Sequence, residues 1–440
     1  MPSNAIDKIK NFDKFGSVLG LERMEKLMQL LGNPQESLKY IHVAGTNGKG
    51  SVCRYIYNAL LANGYDVGLF TSPFLEVFNE RIEFNGELID DDDLKTCTDI
   101  VLQKTDEMVA SGYDSPTEFE VVTAIAFVYF AMKKAQFVVL EVGLGGSGDS
   151  TNIIDKAEIS IITSISFDHM DRLGDTLDLI AKEKAGIIKD GVPVVMNVED
   201  REAQIPIARK AYEKNAVLYN VKKLPYAVVE KSIDKYAIDT NIYGTDYSGV
   251  EISMLGKHQV DNIMTALTAI EVLRKAGKIK IERTKLYEGI FKTRHKGRFE
   301  RIGSKIVMDG AHNEAGARAL ADTLKELYGG KKILAVVGVL KDKEYDKILE
   351  ILGEVVTKFI FTEVDNPRKC EVEELAEVLL GMENQIEVDA VKDSVLALEK
   401  GISELAKFDL LLVAGSLYLI GNLRPVVVAR LASGDLKWLS

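Results

Sequence analysis

Hydrophobic positions fall along this chain in short continuous runs, each followed by a stretch of helical periodicity. After an amphipathic start that includes "GLERMEKLMQLLG", the run "LKYIHVAG" (38–45) stops at a glycine loop. "SVCRYIYNALLANG" (51–64) then has apolar residues at helical spacing and closes on glycine, and "YDVGLFTS" (65–72) reads as a second strand. Two more apolar runs follow: "QFVVLEVGLGG" (136–146), carrying the single acid Glu141, and "EISIITSISFDH" (158–169), ending in Asp168-His169. Runs of this kind, alternating with helices, predict a mostly parallel sheet. Ligands of such sheets sit beyond the carboxyl ends of the strands. The glycine loop, Glu141 and Asp168-His169 all fall at that end.

Across 220–250 the pattern changes to alternation, which predicts hairpins. The stretch "KTRHKGR" (292–298) is basic and apolar-free, a candidate linker. A fresh α/β series begins beyond it: "SKIVMDGAH", a helix over 313–328, "KILAVVGVL", "KFIFTEV", "QIEVDA" with helices between them, and the run "DLLLVAGSLYLIG". The expected division is therefore 1–294, a phosphate-loop domain with a mostly parallel sheet, and 295–440, a smaller Rossmann-like α/β domain. No repeat or low-complexity tract interrupts the pattern.

Composition narrows the partners. With 440 residues, two domains are expected. The 46% hydrophobic and 28% charged content is that of a globular chain. A net charge of -12 argues against non-specific nucleic-acid or anionic-membrane binding, both of which need a basic face. Cys53, Cys97 and Cys370 are far apart and odd in number, so small buried thiols are expected and neither zinc nor disulfides. The N-terminus has no apolar h-region, and no apolar run approaches a membrane span. A cytoplasmic protein is the expectation.

The chemistry begins at Gly45-Thr46-Asn47-Gly48-Lys49-Gly50-Ser51. This is not the common G-x-x-x-x-G-K-[ST] loop, because a glycine separates the lysine from the hydroxyl. Its place between strand and helix nevertheless puts backbone N–H groups and a helix N-terminus where phosphate oxygens would sit. Lys49 offers charge to terminal phosphates and Ser51 a hydroxyl to Mg²⁺. Glu141 inside an apolar strand needs an ion-pair partner or a bound cation. "GLGGSG" (143–148) fits G-x-G-x-x-G formally, but a dinucleotide loop opens a helix and this one leads into another strand. His169 is one of five histidines and reads either as a structural residue or as a ligand beside Glu141. Lys184, taken alone, is an ordinary helix charge.

The ordered motifs "HVAGTNGKGS", "TSPFLEVFNERI", "EVGLGG", "SFDHMDRLGDTLDLIAKEKAGIIK", "GKHQVDN" and "DGAHNEAGA" resemble those of the folylpolyglutamate synthase and dihydrofolate synthase family within the Mur ligases. The resemblance implies ATP-driven amide formation: a carboxylate takes the γ-phosphoryl group of ATP, and the amine of L-glutamate displaces phosphate from the acyl phosphate. It places Thr46, Asn47, Gly48, Lys49, Gly50 and Ser51 on the nucleotide, with Asn262, Arg298 (of "HKGRFE") and Asp309. It implies two Mg²⁺ sites, one at Ser51 and Glu141, the second at Glu141 and His169. It also implies carbamylation of Lys184, which turns a cation into an anion able to orient the second metal. His312 and Ser416 would hold ribose or the incoming glutamate. Phe119, Asp149 and Ser150 would line a pterin pocket, covered by a flap from Phe74 to Arg81. Catalysis would then rest on Lys49, Glu141, His169, Lys184 and His312, in a site between domains that closes on binding.

The chain departs from the family pattern in three places. Ser147-Gly148 stands where an arginine and a bulky apolar residue are usual, Lys296 replaces proline before Gly297-Arg298, and Glu314 replaces proline after "DGAHN". The first change removes a cation beside the pterin pocket. The acceptor is accordingly expected to be tetrahydrofolate or dihydropteroate, with a non-folate carboxylic acid as the alternative. A regulatory phosphate-loop NTPase is the more distant alternative; the chain has no N-K-x-D guanine-reading motif. With no exposed heptad pattern, a monomer is expected.

Overall fold

A computed structural model describes residues 4–12, 19–380 and 386–436. The described residues fall into two compact units. The first holds those up to Glu230 with Ala237–Ile252 and Val260–Thr293; the second holds Lys231–Tyr236, Ser253–Gln259 and those from Arg294 onward.

The first unit is built on strands β1 (Tyr40–Ala44), β2 (Val67–Phe70), β3 (Ile82–Phe84), β4 (Glu87–Leu88), β5 (Phe137–Glu141), β6 (Ile159–Ile162), β7 (Val194–Met196) and β8 (Leu218–Asn220), in the order β4-β3-β2-β5-β1-β6-β7-β8. From β2 to β8 all neighbours are parallel, while β3 and β4 add an antiparallel edge. Every residue of β1 and β5 is buried, which is why both read as unbroken apolar runs. One core layer gathers Phe70, Phe127, Phe130 and Leu140; another gathers Ile162, Ala181, Val194 and Ile207.

Register brings the polar features together. Val43 of β1 pairs with Glu141 of β5, and Ala44 pairs with Ile162 of β6. The glycine loop, Glu141 and the Thr163–His169 segment thus leave three adjacent central strands at the same edge. Hairpin alternation resolves as β9 (Tyr226–Lys231), β10 (Tyr236–Ile242) and β11 (Thr245–Ile252) in one small sheet. The β10–β11 turn has positive φ at both Tyr243 and Gly244, the geometry that matches strand twist.

The second unit carries β12 (Glu300–Ile302), β13 (Ile306–Asp309), β14 (Ile333–Val337), β15 (Lys358–Phe361), β16 (Glu387–Ala390) and β17 (Leu410–Ala414), in the order β12-β13-β17-β14-β15-β16. All pairs are parallel except β12–β13. Two features differ from the sequence expectation. "ERI" (300–302) forms the antiparallel edge strand β12, too short and polar to show as a run. The apolar run "DLLLVAGSLYLIG" is split: β17 stops at Ala414, and Ser416 caps a new helix, Leu417–Ser433, by accepting from the Tyr418 amide. A hydroxyl at a helix start outweighs the continuity of the apolar run.

Cys53, Cys97 and Cys370 are buried and free, as expected. Among the described residues no helix is long and apolar enough to cross a membrane.

The helix after the glycine loop, Lys49–Ala62, is buttressed by the Arg283–Lys292 helix. They approach closely at Gly289, where a Cβ would fall 2.5 Å from the Asn58 carbonyl oxygen and 3.0 Å from Ala62 Cβ. Gly289→Ala should force these helices apart and lower stability by about 1–3 kcal/mol. Thermal denaturation of the variant checks this, and an unchanged Tm would refute it.

Candidate active site

The glycine loop is shaped by what lies against it. Gly45 has φ of +148°, and a Cβ there would run into the Thr163 hydroxyl. Gly48, at φ +85°, is the left-handed N-cap of the Lys49–Ala62 helix, and its bare Cα faces the side chain of Asn262. No side chain caps this helix end, and no acid stands in its first turn. The helix N-terminus thus points its backbone N–H groups and the positive end of its dipole toward the loop, a setting that suits an anion.

The loop is tied to the hydroxyl-rich segment that follows β6. Thr46 N donates to Ser164 O (2.7 Å) and Asn47 N to Ser164 Oγ (3.0 Å). Thr163 Oγ1 donates to Asn47 O (2.7 Å), while Thr46 Oγ1 accepts from Ser166 N (3.1 Å) and donates to Ser166 O (3.1 Å).

Two lysines meet on one acceptor. Lys49 Nζ donates to Gly45 O (3.1 Å) and Thr46 O (3.2 Å). Lys184 Nζ, buried at the end of the Leu177–Ala185 helix, donates to the same Gly45 O at 3.0 Å. Burial, followed by the charge of Lys49, lowers the Lys184 amine to about 7. The surface-type helix charge suggested by its sequence context is thus a buried amine with a large neutral fraction near pH 7.

Glu141 is buried, and its Oε2 accepts from Ser72 N at 3.2 Å. Ser51, the third residue of the Lys49–Ala62 helix, is also buried. His169 is placed differently: it is exposed, has φ of +52°, and its Nε2 lies 3.8 Å from Asp168 Oδ1. The structure thus shows His169 beside Asp168.

Asp149 and Ser150 are buried where the Gly143–Ser150 loop turns back into the fold. Asp149 Oδ2 accepts from Leu144 N (2.8 Å) and Oδ1 from Thr151 N (3.0 Å), and burial raises its carboxyl. Phe119 packs beside Phe70, ring centroids 5.9 Å apart. Phe74 and Arg81 belong to one cluster: the Arg81 guanidinium lies over the rings of Phe74 (5.4 Å) and Phe78 (5.3 Å) and 3.5 Å from Glu118. The segment expected to be a flap is braced internally, with Glu80 Oε2 accepting from Leu75 N (2.7 Å).

In the second unit, Asp309 ends β13 in register with Ala414 of β17, so "DGAH" and Gly415-Ser416 share one edge. Asp309 Oδ2 accepts from Phe299 N (2.6 Å) and Oδ1 from Ala311 N (2.8 Å); burial raises its carboxyl against the opposing pull of Arg298. His312 Nδ1 lies 2.8 Å from Gly310 O, so Nδ1 carries a proton.

This architecture is shared. The Mur ligase middle domain model matches residues 43–270, and the model of the Mur ligase glutamate ligase domain matches residues 297–417. The dihydrofolate synthase/folylpolyglutamate synthase of Bacillus subtilis (strain 168) is 36% identical over 427 residues, covering 93% of this chain and 95% of that protein. The chain belongs to the folylpolyglutamate and dihydrofolate synthase family of Mur ligases. A Mycobacterium tuberculosis folylpolyglutamate synthase, solved with ADP and AMPPCP, superposes with a TM-score of 0.87 at 30% identity, covering 96% of this chain and 99% of that one. Escherichia coli FolC, solved with DHPP and ADP, gives 0.84 at 29% identity, covering 98% and 99%.

For this member of the family, sequence reasoning passed over two groups. Thr163, Ser164 and Ser166 anchor the phosphate loop; their signal is a cluster of hydroxyls directly after a β-branched strand. His258, in "GKHQVDN", is a half-buried residue of the second unit whose ring is lowered to about 4 by desolvation and then by the Arg298 charge. Its own motif was the signal.

Lys184 gives a pH test. Unfolded, it titrates near 10.4; folded, near 7. Between these values the unfolded chain binds more protons, so Lys184 makes stability rise with pH. In CO₂-free buffer, the Tm of wild type relative to Lys184→Met should increase from pH 7 to pH 10. A constant difference would show that the amine is not held near neutrality.

Proposed function

We propose that this protein is an ATP-dependent ligase that joins the amino group of L-glutamate to a carboxylate of a folate. The observation that carries the reading is the phosphate loop with two lysines on Gly45 O, at the same sheet edge as the buried Glu141. A carboxylate oxygen of the acceptor attacks the γ-phosphorus of ATP; the bond to the β-phosphate oxygen breaks and ADP leaves with its electrons. The nitrogen of glutamate then attacks the acyl carbon, the C–O bond to phosphate breaks, and the nitrogen loses a proton. Lys49 and the amides from Lys49 to Ser51 neutralise and orient the phosphates during the first step. Redirecting Lys49 from neutral carbonyls to phosphate exchanges ordinary hydrogen bonds for charge-assisted ones.

The donor set fits a hard cation: the Ser51 hydroxyl and the Glu141 carboxylate are buried oxygen ligands of the kind Mg²⁺ takes. Mg²⁺ bound there would neutralise the β- and γ-phosphate oxygens. Glu141 and His169 would hold a second Mg²⁺, and Lys184, once carbamylated, would supply negative charge toward it. The neutral amine of Lys184 supports this modification, since only its lone pair can form the N–C bond to CO₂. Asn262, Arg298 and Asp309 are assigned to the nucleotide, and His312 and Ser416 to ribose or glutamate. The first unit thus takes ATP and folate, the second glutamate and part of the nucleotide, in a cytoplasmic monomer.

Ser147-Gly148 favours one further reading, a different carboxylic acid as acceptor. Ser147 N and Oγ contact Glu183 O (3.0 and 3.2 Å), and no cation stands at this point of the loop. Phosphate release with ATP, glutamate and bicarbonate decides between them. Release with tetrahydrofolate is expected, and release with dihydropteroate as well would add the dihydrofolate synthase step. Silence with both, from protein that still binds ATP, would overturn the folate reading.

Glu141→Gln should lower kcat by about 100-fold or more while the protein still folds. Removing CO₂ should lower activity reversibly, with bicarbonate restoring it to wild type but not to Lys184→Ala. Full activity of either variant would sink its assigned role.

A further inference from the structure

A second polar chain runs through the sheet beside the phosphate loop. His42, in β1, is fully buried, and its Nε2 lies 2.9 Å from Thr151 Oγ1. The Thr151 hydroxyl contacts Asp149 Oδ1, and the Asp149 carboxylate collects the amides of Leu144 and Thr151. The direction of these bonds follows from the proton count. Both carboxylate oxygens accept main-chain N–H groups, so the single hydroxyl proton of Thr151 points to Asp149. Thr151 Oγ1 must then accept from His42, which holds the ring as the Nε2–H tautomer. Burial, then the Lys189 charge, lowers the ring to about 3, so it stays neutral at ordinary pH.

The chain ends on a loop with two important neighbours. A Cβ at Gly143 would fall 2.5 Å from the Phe119 ring, and Ser147 N donates to Glu183 O, one residue before Lys184. At its other end, His42 stands on the strand that runs directly into Gly45. A shift of the loop relative to β1 would therefore change its spacing from the phosphate loop.

We propose that His42 is a positioning residue for the acceptor: through Thr151 and Asp149 it sets the Gly143–Ser150 loop against the strand that carries the phosphate loop. This rests on the reading that the loop and Phe119 line the acceptor pocket. A residue needed only to fill space at position 42 could be apolar; the ring supplies a rigid donor at the distance Thr151 requires.

The test is steady-state kinetics of the full-length enzyme, varying tetrahydrofolate and ATP separately. Thr151→Val should raise the KM for tetrahydrofolate about tenfold, as loss of an oriented hydrogen bond implies, and leave the KM for ATP within about twofold. His42→Gln, whose amide reaches the Nε2 position, should stay near wild type. His42→Asn, whose amide reaches only the Nδ1 position, should resemble Thr151→Val. The Gln and Asn pair decides the matter even if Thr151→Val does not fold. Equal losses in Gln and Asn, with both KM values rising as Tm falls, would reduce His42 to a structural residue and overturn the proposal. Phe119→Leu separates the two layers. If it raises the acceptor KM while the His42 and Thr151 variants do not, the positioning role is refuted and the pocket stands. If none of them moves the acceptor KM, the pocket reading fails and the inference with it.

Discussion

Two lysine amino groups, of Lys49 and Lys184, converge on the carbonyl of Gly45, and much of the first unit is arranged around that meeting. Lys49 reaches it from the first turn of its own helix, and Lys184 from the end of a helix more distant in sequence. Burial disfavours the charged form of Lys184, and the Lys49 charge beside it adds repulsion. The buried lysine therefore yields its proton more readily than an exposed one. Gly45 must be glycine because its φ is positive and Thr163 occupies the space of a side chain. Thr163, Ser164 and Ser166 hold the rest of the loop, so β1, β6 and two helices share one set of constraints.

Buried carboxylates play a common part in both units. Asp149 lies in the loop after β5 and Asp309 ends β13; each accepts main-chain amides on both oxygens, and each has its carboxyl raised by burial. A carboxylate held this way fixes the path of a loop, because every amide it gathers would otherwise need a partner. The loops so fixed carry the candidate acceptor residues in one unit and the candidate glutamate and nucleotide residues in the other. Glu141 differs, being a buried acid whose Oε2 receives the Ser72 amide at a strand end, beside the phosphate loop. Its oxygen donors suit a hard cation as well as a loop.

The alternation of apolar runs and helical periods was enough to expect two α/β sheets, because parallel strands covered on both faces must be apolar throughout. The glycine loop was legible because few other roles place a lysine and a hydroxyl around glycine between a strand and a helix. β12 escaped notice because a short edge strand next to a basic stretch carries almost no periodic signal. The helix from Leu417 was masked by an apolar run that continues past the strand end.

Residue types and spacing by themselves determined the architecture, the anion-binding loop and the strand-end location of Glu141 and Asp168-His169. The tertiary structure alone decided what each ionisable group experiences. It placed Lys184 in the interior on Gly45 O, set His169 at the surface beside Asp168, and gave both oxygens of Asp149 and Asp309 to main-chain amides. The physical reason is that strand order and register bring distant segments together. Desolvation and hydrogen bonding there depend on neighbours that local sequence does not name.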